Sequence, residues 1–155
     1  MMTRVFVIAS TPSVAEQIGK VLSLGEDIAV ARIALYGEDV LPQLHAVACD
    51  IVAIDGSIED AALAELTGRI MNTRPLPMVI FGAEADIERI RDSVERLNIG
   101  ALSVVALPEA KDAATRVARG EGLARNLRLM SEIKVERRWD SRRFESLQKI
   151  FHPEA

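Results

Sequence analysis

Short apolar runs alternate with stretches of helical periodicity along most of the chain. Arg4 to Ala9 (RVFVIA) is a continuous run of β-branched and aromatic residues, the pattern of a strand covered on both faces. Thr11-Pro12-Ser13 then supplies helix-start chemistry, and Val14, Ile18, Val21 and Leu22 fall on one face of a helix ending before Gly25. Asp27 to Leu35, rich in Ile, Val and Ala, reads as a second strand. Gly37 breaks the chain before a helix from Glu38 to Ala48, whose Pro42 must lie in the first turn or kink it. Ile51 to Asp55 (IVAID) is a third strand, and a helix from Glu59 to Asn72 presents Leu63, Leu66 and Ile70 before Pro75 and Pro77 stop it. Met78 to Phe81 is a fourth strand ended by Gly82. Ala85 to Leu97 carries Ile87, Ile90, Val94 and Leu97 on one stripe, and Ser103 to Leu107 is a fifth strand.

Strands that alternate with helices over short connections imply a parallel sheet with helices on both faces, an α/β doubly wound fold. Five such units favour the flavodoxin-like strand order 2-1-3-4-5. Beyond Lys111 helix-forming residues continue almost to the terminus, whereas a fifth helix needs only about 12 to 15 residues. The expected division is a domain over residues 1–122 and a C-terminal helical extension over 123–155. Leu123, Leu127 and Met130 form one stripe of that extension, and Trp139, Phe144, Leu147, Ile150 and Phe151 a second apolar group. These side chains either pack back on the domain or dock a partner, including a second copy of the chain.

At 155 residues and 49% hydrophobic, the chain can build one core of about 110 to 130 residues plus an appendage. Its apolar runs fall far short of the roughly 20 residues needed to span a bilayer, so a soluble, cytoplasmic protein without membrane contact is expected. Cys49 is the sole cysteine, which excludes an intramolecular disulfide and reads as a half-buried residue at a strand entrance. The net charge of −4 conceals an asymmetry, because Arg116 to Lys149 carries ten basic and five acidic residues. Arginine and glutamate alternate there, and no helix-turn-helix pattern follows, so a solvated mixed surface is favoured over nucleic-acid binding. No G-x-S-x-G elbow or glycine-rich phosphate loop occurs, and His45 and His152 are isolated. Ser10 sits at the carboxyl edge of the first strand, where open α/β sheets bind ligands, but has no histidine near it in sequence.

The segments RVFVIASTPSV, CDIVAID, PLPMVIFG and NIGALSVVALP stand in an order and at spacings that resemble the receiver domains of bacterial response regulators. The resemblance is nearest to the amino-terminal receiver of chemotaxis methylesterases. It runs from about Arg4 to Trp139, where LMSEIKVERRW looks like the helix leading toward the esterase domain. The resemblance makes Asp55 the equivalent of the phosphate-accepting aspartate. Other positions depart from the pattern. Ala9 and Ser10 replace the two acids that help hold Mg²⁺, a hard ion that needs clustered carboxylate oxygens. Gly82 replaces a Ser or Thr hydroxyl, Leu107 replaces the lysine that pairs with phosphoryl oxygens, and Val104 replaces an aromatic switch residue. Ile58-Glu59-Asp60 takes the place of the loop after the acceptor, and Pro108 keeps the proline before which the resemblance implies a cis bond.

Phosphoryl transfer depends on positioning and charge stabilisation, each electrostatic contact being worth about 2 to 4 kcal/mol in the transition state. The leading expectation is therefore a degenerate receiver, not an enzyme. It would act by binding a protein of a two-component or chemotaxis pathway or by pairing through its C-terminal helices, with weak or absent Mg²⁺ and no other cofactor. Asp55 reads as a helix-facing or loop-capping acid. The alternatives are the regulatory receiver portion of a methylesterase-type regulator still phosphorylatable at Asp55, and a small-ligand-binding doubly wound domain. In the latter, Ala9 and Leu107 in place of charges would favour an uncharged or weakly polar ligand.

Overall fold

The structure, a computed structural model, describes residues 2–97, 99, 101, 103–107 and 113–133. Trp139, Phe144, Leu147, Ile150, Phe151, His152 and the Leu107–Pro108 bond lie outside the described residues. Five strands, β1 (Thr3–Ala9), β2 (Ile28–Leu35), β3 (Ile51–Asp55), β4 (Met78–Gly82) and β5 (Ser103–Ala106), form one sheet in the order β2-β1-β3-β4-β5. All four strand pairings are parallel. The intervening helices are α1 (Pro12–Leu22), α2 (Val40–His45), α3 (Asp60–Thr73), α4 (Ile87–Arg96) and α5 (Ala113–Ser131), with a short 3-10 turn at Glu84–Asp86 before α4.

The central strands explain why their sequences are unbroken apolar runs. Every residue of β3 and β4 is buried, as are all but Arg4 in β1, because helices cover both faces. β2 lies at the sheet edge and alternates toward solvent, leaving Val30 and Ile33 exposed. Right-handed crossovers set α1 on the face opposite α2, α3 and α4. α5 packs beside α1, beneath β1 and β3.

Local chemistry starts and stops these elements where the sequence indicates. The Thr11 hydroxyl accepts a hydrogen bond from the Val14 N–H at 3.3 Å, and Pro12 occupies the first turn, where its missing N–H is harmless. Pro42 is the third residue of α2, again within a first turn, and Gly37 takes a φ of 106°, the left-handed region. Several boundaries differ from expectation, α2 spanning only Val40–His45 of the expected Glu38 to Ala48. Leu97 caps the end of α4 and is 37% exposed, so it leaves the buried stripe of Ile87, Ile90 and Val94. α5 runs through the expected boundary at Gly122 to Ser131, so residues 123–131 are part of the fifth helix.

That longer helix also relocates three residues expected as candidates for partner docking. Leu123, Leu127 and Met130 are buried in the domain's own core, where α5 approaches β1 and β3. Burial of this kind, about 1.5 to 3 kcal/mol per large apolar side chain, stabilises the packing of the stripe against the sheet. The close approach of α5 depends on Gly25 and Gly120, where a β-carbon would collide with Ala124 and Leu24 respectively.

Candidate functional site

Parallel register brings the candidate residues to one edge of the sheet. β1 pairs Ile8 with Ile54 of β3, which sets Ala9 level with Asp55 and Ser10 just beyond it. β3 pairs Asp55 with Phe81, and β4 pairs Gly82 with Ala106, so Leu107 continues next to Gly82 and donates its N–H to the Gly82 carbonyl at 2.9 Å. Ala9, Ser10, Asp55, Gly82 and Leu107 thus meet at the carboxyl edge, while Val104 is buried one row below, opposite Ile80.

Asp55 is 3% exposed, and its carboxylate is held by neighbours on two segments. The Ser10 N–H donates to Oδ2 at 2.8 Å and the Ser10 hydroxyl to the same oxygen at 2.5 Å. The Ser57 N–H donates to Oδ1 at 2.9 Å, an aspartate bonding its own backbone two residues on. The Ser10 and Ser57 hydroxyls lie 3.0 Å apart and close the network. A buried carboxylate is tolerated only when hydrogen-bonded, and these donors meet that need without any cation. Ser57 was not singled out in the sequence, although the Asp55-Gly56 pair before it is a recognised turn signal.

The opposite flank is apolar. A β-carbon on Gly82 would stand 2.6 Å from Ile90 Cδ1 of α4. One on Gly56 would stand 2.7 Å from the same methyl and 2.8 Å from the Phe81 carbonyl oxygen. Both glycines make room for Ile90, whose Cδ1 stands against the sheet edge at Gly56 and Gly82. Ile90 was legible as a buried helix position, but not as a neighbour of these glycines. α4 is tied to the start of α3 by Asp60, which accepts a 2.7 Å bond from the Ser93 hydroxyl and lies within 4 Å of the Arg89 and Arg96 guanidinium groups.

A divalent ion needs several carboxylate oxygens, and among the described residues no three His, Cys, Asp or Glu side chains gather into a cage. Ala9 contributes no oxygen, and the Asp55 oxygens already receive three hydrogen bonds. His45 is exposed on α2. Cys49 lies before β3 at the far edge of the sheet, and burial pushes its thiol above the ordinary range. Among the described residues no helix is long and apolar enough to cross a membrane.

No protein-family model matches the chain. In sequence it is similar to the protein-glutamate methylesterase/protein-glutamine glutaminase of Nitrosospira multiformis, with 30% identity over 138 residues, covering 89% of this chain and 39% of that protein. The corresponding protein 1 of Syntrophus aciditrophicus shows the same identity and coverage. The chain therefore spans well under half the length of these curated relatives. In structure it is similar to the response regulator domain of Thermotoga maritima CheB, with a TM-score of 0.64 at 18% identity, covering 87% of this chain and 100% of that one. It is also similar to the non-phosphorylated receiver domain of the stress response regulator RcsB from Escherichia coli, with a TM-score of 0.58 at 16% identity over 83% of this chain and 95% of that one.

Proposed function

We propose that this receiver domain, related in sequence to the receiver region of protein-glutamate methylesterases, signals by binding a protein partner independently of phosphorylation at Asp55. The partner would belong to a chemotaxis or two-component pathway, and the domain would act in the cytoplasm as a regulator without catalysis of its own. The observation that carries this reading is the hydrogen-bonded surrounding of Asp55. Ser10 and Ser57 donate to its oxygens, the Ile90 methyl stands against Gly82, and Leu107 stands at the end of β5 beside Gly82. An attacking carboxylate oxygen would act from within this hydrogen-bonded network, with Leu107 rather than a lysine at the end of β5 to meet the phosphoryl group. The face made by α4, β5 and α5 is the candidate contact surface, with Leu97, Val117 and Leu129 exposed on its elements. Pairing of two copies through residues beyond α5 is part of the same proposal.

Incubation with acetyl phosphate and Mg²⁺, followed by intact-mass measurement, tests it. The expected result is no phosphoryl adduct; a stable adduct that disappears in Asp55→Asn would overturn the reading. The relatives favour a second reading, because the chain matches only 39% of the length of each of the first two. In it the chain is the regulatory portion of a methylesterase-type regulator, still phosphorylated at Asp55. The same adduct would support it.

A further inference from the structure

A crevice of about 670 Å³ opens between α1 and α5 above the carboxyl edge of the sheet. Val14, Val21, Leu24, Leu107 and Val117 form its walls and Phe81 its floor. Four of the wall residues are only half-buried, and Val117 is 42% exposed, so among the described residues the walls present uncovered apolar surface. The volume lies within the roughly 300 to 1,000 Å³ typical of small-molecule sites, which combine apolar walls with a few convergent polar groups. The place is also where open α/β sheets hold ligands, outside the carboxyl ends of the strands and close to where strand order reverses between β1 and β3.

The polar groups define the ligand's chemistry. Asp55 and Ser57 line the crevice. Asp55 Oδ1 accepts a single described bond, from the Ser57 N–H, and a carboxylate oxygen has room for a second donor. The other charged lining residues, Lys20 and Asp86, are exposed on α1 and the turn before α4. Two carboxylates against one ammonium disfavour an anion, and the apolar walls disfavour any desolvated ion. We infer that this crevice binds an uncharged, mainly apolar small molecule with a hydroxyl or amide donor directed at Asp55 Oδ1. The site is independent of whether the domain also binds a protein partner.

The probe is 1-naphthol, followed by amide chemical shifts in a nitrogen-15 labelled full chain, with naphthalene as the donor-less control. Saturable shifts at the amides of Val14, Val21, Leu107 and Val117 are expected, with naphthalene binding roughly threefold to tenfold more weakly for want of the hydrogen bond. Leu107→Lys, a half-buried position whose replacement leaves the sheet pairing intact, should weaken 1-naphthol at least about tenfold by placing a charge in the wall. Ile33→Ser, on the exposed edge strand, should leave binding unchanged. Shifts confined to β2, no saturable shifts, or unchanged affinity in a folded Leu107→Lys variant would overturn the site. Equal affinity for naphthalene would overturn the donor-bearing ligand.

Discussion

On the β1 side of Asp55 the neighbours are polar and hold the carboxylate by hydrogen bonds; on the β4 and β5 side they are apolar and fill the adjacent space with side-chain carbon. Ser10 and Ser57 bring directional donors at 2.5 to 2.9 Å, whereas Ile90, Phe81 and Leu107 bring volume. Hydrogen bonds fix the carboxylate in place but can exchange partners. A packed group against a glycine has no alternative partner, and relief requires the Ile90 side chain to swing aside or, at the Phe81 carbonyl, the backbone to move. The two flanks should therefore answer substitution differently.

The largest effect is expected on the packed side, at Gly56. A β-carbon there meets the Phe81 carbonyl oxygen at 2.8 Å, a backbone atom that cannot rotate away. Gly56→Ala should lose about 2 to 3 kcal/mol of stability, visible as a lower urea midpoint at unchanged slope. A loss below about 0.5 kcal/mol would show that the sheet edge yields more readily than this packing implies.

On the hydrogen-bonded side, Asp55→Ala removes the acceptor shared by the Ser10 hydroxyl and two backbone N–H groups. It should cost about 2 kcal/mol, and Asp55→Asn about 1 kcal/mol because one oxygen remains to accept. Equal losses for the two variants would mean that water replaces the carboxylate in both.

The smallest effect separates the flanks most cleanly. Gly82→Ser would press its β-carbon onto Ile90 Cδ1, the flexible end of a side chain, and Ile90→Val removes that methyl. The double variant should be more stable than the sum of the single losses by about 1 kcal/mol, measured as a double-mutant cycle in urea. Additivity would show that Ile90 swings aside without help, and the difference between the two flanks would narrow.

Much of this arrangement was legible from residue order. The strand runs RVFVIA, IVAID and MVIF are buried strands, Thr11-Pro12 starts a helix, and Gly37 marks a turn, because each signal acts within a few residues of itself. Leu123, Leu127 and Met130 were legible as an apolar stripe but not by destination, since periodicity identifies a face without identifying what it meets. α5 continues to Ser131 because Gly25 and Gly120 let it lie close against the α1–β2 connection, a contact spanning about a hundred residues of sequence. Ser57 followed a local turn signal; Ile90 carried none that pointed to Gly56 or Gly82.

The sequence alone determined the five strand-and-helix units and their parallel order, because periodicity and residue chemistry are local properties. Tertiary structure decided that Asp55 is satisfied by Ser10 and Ser57, that Ile90 occupies the space beside Gly82, and that apolar walls from α1 and α5 face one another across a crevice. These depend on strand register and on how closely helices approach the sheet, quantities set only when distant segments pack together.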